Sequence, residues 1–245
     1  MKADVPAPRR RSLLIPTVFV LVALAILLGL GFWQVERLAW KENLIGMLGQ
    51  RVSGPPVPLP PPNEWAGLSQ GDWEFRRVAA AVEFPSGPHA FAYTSGTPLR
   101  PDIKAPGYFV FAPARLASGE LVVVNAGYTA DRSYPWNIKK AEITGYLRWP
   151  ESPRWFVTES DTAGSTWYVR DHRAMARRLS WDEPVAPFYI DQEAPVPPGG
   201  VPSPGPLTVK LRNDHLGYAL TWFGLAVALV VVFGFWVARR ERTPT

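Results

Sequence analysis

Three histidines are all the imidazole this 245-residue chain offers, and it has no cysteine. The missing thiols exclude disulfides, thiolate nucleophiles, iron–sulfur clusters, c-type haem attachment and thiol-ligated copper together. No HExxH, no glycine-rich loop closing on Gly-Lys-Ser/Thr and no GxSxG occurs. Gly29 and Gly31 form a GxG without a third glycine, inside an apolar run, where close helix packing is the better use for them. With scattered carboxylates and no nucleophile–base pair in view, the chain reads as a protein that is not an enzyme.

The histidines differ in setting. His89 follows Gly87 and Pro88 and is expected in a surface turn. His172, between Asp171 and Arg173, is expected as a solvated neighbour of a helix cap. His215 opens a long uncharged run, and helical spacing puts Tyr218, Ala219 and Trp222 on its face at i+3, i+4 and i+7. Two readings stay open there. It is an interfacial histidine bonded to a lipid headgroup within an aromatic belt, or it is the axial ligand of a haem iron. In the second case the aromatic and small residues take a flat apolar ring, while Arg212 and Arg37 pair with its propionates. Trp33 and Trp40 suit the same interfacial depth, ring in lipid and N–H in the polar layer.

The elements that carry these residues follow from charge. Residues 12–35 and 215–238 contain no charged side chain. At about 1.5 Å per residue each run crosses a hydrocarbon core of roughly 30 Å. The net charge of +5 is not spread over the chain: residues 36–214 hold 19 Lys+Arg and 19 Asp+Glu, which cancel. The excess lies in Lys2, Arg9, Arg10 and Arg11 before the first run, and in Arg239, Arg240 and Arg242 after the second. Basic flanks mark the cytoplasmic side, so the charge speaks of topology and not of nucleic acid. The first run is too long for a signal-peptide core and lacks a small-x-small site, so it is read as an anchor and not as a cleaved or twin-arginine signal.

Between the runs the pattern changes. Helical spacing of Trp33, Arg37, Trp40, Lys41, Leu44 and Leu48 carries the first helix beyond the membrane. Six prolines in 54–62 and six in 195–206 predict two extended struts. The segments 76–84, 89–93, 107–114, 121–127, 142–149, 166–170 and 188–191 read as strands, and 172–179 as a helix. The expected fold is a membrane protein: two transmembrane α-helices bounding a mainly antiparallel β (α+β) extramembrane domain, barrel- or sandwich-like. In order, this gives a basic cytoplasmic tail (1–11), a first span (12–35), an interfacial helix with its strut (36–62) and a periplasmic domain (63–194). A return linker (195–214), a second span (215–238) and a basic cytoplasmic tail (239–245) complete it.

Four stretches then resemble the surfeit locus protein 1 family, in order and over most of the chain. They are GFWQVERLAWK at 31–41, EFRRV at 74–78, VNAGY at 124–128 and NDHLGYALTWF at 213–223. The resemblance implies an assembly factor for haem–copper cytochrome c oxidase. It further implies transient haem a binding near the outer membrane surface, and assistance with its insertion into the catalytic subunit. The family's haem ligand matches His215, with Tyr218, Trp222, Trp33, Arg37 and Arg212 as the expected surroundings. The implied partners are that oxidase subunit, the haem a synthesis machinery and the lipid bilayer, with no nucleic acid. The alternative is a cofactor-free membrane scaffold that holds an oxidase intermediate. Without an amphipathic Arg/Ser-rich leader the chain is expected in a bacterial inner membrane.

Overall fold

The computed structural model describes residues 13–152, 158, 160–161, 166–181, 184–209 and 213–241. Its elements run α1 (Leu14–Ser53), β1 (Val57–Pro58), a 3-10 helix (Pro62–Gly67), α2 (Gln70–Trp73), β2 (Arg77–Glu83), β3 (Ala90–Thr94), β4 (Gly107–Leu116), β5 (Leu121–Thr129), β6 (Lys140–Arg148), α3 (His172–Leu179), β7 (Val185–Ala194) and α4 (His215–Glu241). Contacts divide the chain into two units, one of Met1–Leu44 with Leu211–Thr245 and one of Ile45–Lys210.

The first unit is the helix pair. Both helices are long and apolar enough to cross a membrane, and only 6% of the most apolar window of each is buried. A core helix of a soluble protein hides such side chains, whereas here Ile15, Phe19, Leu220 and Phe235 stand exposed. Helices suit a lipid phase because each backbone donor and acceptor is satisfied within the segment. α1 does not stop at the apolar boundary and continues as one helix of 40 residues. It ends where Gly54 N–H bonds to Gln50 O at 2.9 Å and Pro55 and Pro56 forbid another turn.

The second unit is built on one mixed seven-stranded sheet in the order β1-β2-β6-β7-β5-β4-β3. Its pairs are antiparallel except β1–β2 and β5–β7, which are parallel. A further pairing of β2 with β4, Val82 to Leu116 and Glu83 to Arg115, curls the sheet back on itself. The central strands are therefore buried on both faces, which explains the unbroken apolar run of β5. Val122 and Val124 join Val78, Val82, Ile143, Leu147, Phe188 and Trp65 on one face. Leu121 and Val123 join Phe109, Phe111, Trp167, Tyr189 and α3's Ala174, Met175 and Ala176 on the other. The two clusters give the domain its sandwich-like character.

Two features differ from the sequence expectation. The 166–170 segment is no strand: among the described residues Trp167 makes isolated bridges to Ala92 and Ser160 only. Its indole instead plugs the core cluster under α3, so packing overrides its β-propensity. The proline-rich segments are not free struts either. Val57 and Pro58 pair with β2, Leu59 N–H bonds to Ala79 O at 3.0 Å, and Ser203 pairs with Tyr128. Extended polyproline backbone leaves its carbonyls and its non-proline amides unpaired, and a sheet edge takes them up.

Candidate functional site

His215 is the first residue of α4 and is half-buried. Its ring nitrogen Nδ1 lies 2.7 Å from Oε1 of Gln34 on α1, a short hydrogen bond. A carbonyl-type oxygen can only accept, so Nδ1 is the donor in this arrangement; in the neutral tautomer that carries this proton, Nε2 keeps its lone pair. Among the described residues the ring has no other hydrogen-bond partner. Gly31 and Gln34 are the buried positions of α1. Facing them on α4 are Ala219 and Ala226, each 2% exposed and two turns apart. Phe223 fills the notch left by Gly31, where an added Cβ would meet its ring at 2.6 Å, and it meets Phe32 edge-on at 5.4 Å. Small residues let the backbones approach, and one polar pair is enclosed at the seam.

The sequence-derived residues are placed unevenly around that pair. Ala219, one turn on from His215, sits in the seam, while Tyr218 and Trp33 are 57% and 54% exposed. Trp222 is half-buried. Arg37 is exposed and its guanidinium lies over the Trp40 ring, 3.8 Å from the centroid. Arg212 falls outside the described residues. Gln34 is the member that spacing did not single out, although its signal was present: an amide within an apolar helix needs a partner.

The other two histidines belong to the domain's packing and correct the sequence expectations. His89 is half-buried, its Nδ1 2.7 Å from the Tyr134 hydroxyl and its ring against Trp136 at 4.5 Å. His172 is fully buried, with Nε2 donating to Ala186 O at 2.9 Å. Asp171 caps α3 by accepting from the N–H groups of Arg173 and Ala174, so His172 is a cap neighbour as expected, but a buried and not a solvated one. Burial pushes the His172 pKa down to about 4, so the ring is neutral near pH 7.

The stretches at 74–78 and 124–128 converge within the domain on one buried polar chain. Arg148 Nε donates to Glu74 Oε1 at 2.7 Å, and its Nη1 lies 3.5 Å from Asp191 Oδ2. Asn125 Nδ2 donates to Asp191 Oδ1 at 2.8 Å while its own oxygen accepts from Gly127 N–H at 3.2 Å. Gly127 has φ 118° and lies against the Ser203 and Pro204 backbone, where a Cβ would come within 2.3 Å. Burial raises the Asp191 pKa, while Arg148 and Arg170 oppose it. These contacts lock β5, β6 and β7 together and tie the proline-rich return to the sheet. They give both stretches a structural role in the domain.

Comparison with known proteins agrees in extent with this architecture. The chain is 32% identical over 228 residues to Surfeit locus protein 1 of Rattus norvegicus, covering 86% of this chain and 72% of that one. It is 31% identical over 230 residues to a SURF1-like protein of Monosiga brevicollis, covering 87% and 83%. A SURF1-like protein of Rickettsia felis is 26% identical over 223 residues, covering 87% and 93%. The model of the SURF1 family matches residues 21–227, from within the first apolar helix, through the whole sheet domain, to within the second. The chain belongs to the SURF1 family.

Proposed function

We propose that this protein assists assembly of cytochrome c oxidase in a bacterial inner membrane. In this reading His215 receives haem a from the haem a synthesis machinery near the outer surface and holds it until the catalytic subunit accepts it. The protein acts as a chaperone and not as an enzyme. Family membership supports the assembly role. The observation that carries the haem reading is the His215 ring itself, bonded through Nδ1 to Gln34 and left with Nε2 free among the described residues. In the neutral tautomer with Nδ1 donating, that leaves Nε2 available to ligate iron. Trp222 and the exposed Tyr218 give a flat apolar ring aromatic surfaces beside the ligand. Arg37 and Arg212 are assigned to the propionates. Arg37 lies over the Trp40 ring, 3.8 Å from its centroid, and is exposed, so its guanidinium is open to a propionate.

The test is haem content of the protein purified in detergent from cells that make haem a. His215→Ala should abolish or greatly reduce it while leaving membrane insertion intact. Arg37→Ala should weaken retention partially, by the roughly 1–3 kcal/mol of a charge-assisted hydrogen bond. Equal haem in His215→Ala and wild type, with an unshifted spectrum, would remove His215 from the role.

A second reading has its own observation. On β3, β4 and the 166–170 segment, Phe91, Tyr108, Tyr93 and Tyr168 form a row of edge contacts 6.1–6.2 Å apart. Arg132 lies over Tyr108 at 4.6 Å. Tyr93 and Tyr168 are 43% and 48% exposed, as in a surface that holds a protein partner. Protein that assembles with the oxidase but carries no haem would favour this scaffold role.

A further inference from the structure

We propose that Gln34 tunes how firmly His215 holds its iron, so that the bond is weak enough to be handed on. The inference rests on the haem reading of His215. A ligating histidine takes its orientation and donor strength from the group that accepts its other N–H. A carboxylate in that place pulls the proton and makes the imidazole a stronger donor, which favours ferric iron and retention. A neutral amide holds the ring equally well in space and adds little donor strength.

The structure has the neutral choice in a setting that makes the difference large. Gln34 is 8% exposed and lies at a seam otherwise made of Gly31, Ala219, Phe223 and Ala226. Low polarity there leaves little water to damp a change of charge on the acceptor. The distance of 2.7 Å leaves no room for an intervening molecule, so the amide acts on the ring directly. Among the described residues no acidic side chain bonds to the His215 ring. Gln34 thus acts through His215 as a positioning residue, for a carrier that must release what it binds.

The experiment loads the full chain in detergent micelles with haem a and follows its loss to excess apomyoglobin, together with the reduction potential. His215→Ala serves as the reference for binding elsewhere. Gln34→Met keeps the volume and removes the acceptor, so the ring loses its anchor. It should release haem on the order of 10–100-fold faster than wild type, the usual effect of deleting such a partner. Gln34→Glu should move the other way, with slower release and a lower potential. A merely structural glutamine would give destabilisation in both variants and no shift in potential. If Gln34→Met releases haem at the wild-type rate with an unshifted potential and spectrum, while His215→Ala does not bind, the inference about Gln34 fails and the haem reading stands. Wild type that takes up no haem beyond the His215→Ala level overturns both. Failure of Gln34→Glu to fold leaves Gln34→Met to decide.

Discussion

The residue scale shows how little the type of a side chain says without its surroundings. His89, His172 and His215 share one imidazole, yet one pairs with a tyrosine, one is sealed in a core and one sits at a helix seam. For His172 the burial has a thermodynamic consequence. Its pKa of about 4 in the fold lies below the ordinary 6.5, because burial disfavours the imidazolium. Between those values the unfolded chain binds a proton that the folded chain does not, so stability rises with pH across that window. The contribution is complete above about pH 6.5 and is lost as the pH falls toward 4, at about 3 kcal/mol over 2.5 pH units. Tryptophan fluorescence of the purified protein in detergent, titrated with denaturant at pH 7 and pH 4.5, should show that loss. His172→Gln should be less stable at pH 7 and should lose less on acidification; an equal acid loss in both would place the sensitive group elsewhere.

At the scale of elements, two nearby glycines on one helix are predicted to behave differently. Gly31 lies under Phe223, where a Cβ would come within 2.6 Å of the ring, while nothing lies within 4 Å of a Cβ at Gly29. Gly31→Leu should push α1 and α4 apart and lower the thermal stability of the detergent-solubilised protein by about 1–3 kcal/mol, as overpacking does. Gly29→Leu should leave it within about 0.5 kcal/mol, as for a side chain facing solvent or lipid. A larger loss for Gly29→Leu would mean that the helices pair by another face. The GxG spacing announced close packing but could not say which glycine was used, since that depends on where Phe223 falls across the seam. The same limit applies to the sheet. α3 was legible to the residue at both ends, because Asp171 caps it and its apolar positions have helical spacing. Six strands were legible from apolar runs bounded by turn residues. β1 was not, because a proline-rich stretch becomes a strand only when an edge such as β2 is there to pair with it. The Gln34–His215 pair was hidden for a similar reason: its members are 181 positions apart, and a single sequence carries no record of that contact.

At the scale of the whole molecule, charge gives a definite expectation for the side of the membrane that the domain occupies. The tails hold seven basic residues, Lys2, Arg9, Arg10, Arg11, Arg239, Arg240 and Arg242, against a neutral 36–214. Short basic flanks resist translocation, whereas a long neutral domain crosses regardless of its balanced charges. Two spans then return the chain to the side on which it started, so both tails are expected in the cytoplasm and the sheet domain outside. Fusions to a phosphatase that is active only outside the cytoplasm test this. One placed after Gly119, exposed in the turn between β4 and β5, should be active, and one at the C-terminus should be silent. Replacing Arg9, Arg10 and Arg11 by glutamine should raise the share of inverted chains, because the first span would lose most of the charge that orients it. The opposite activity pattern in the unmodified chain would place the domain in the cytoplasm. It would also put His215 at the inner surface, where a carrier would have to receive and release its haem from the other side.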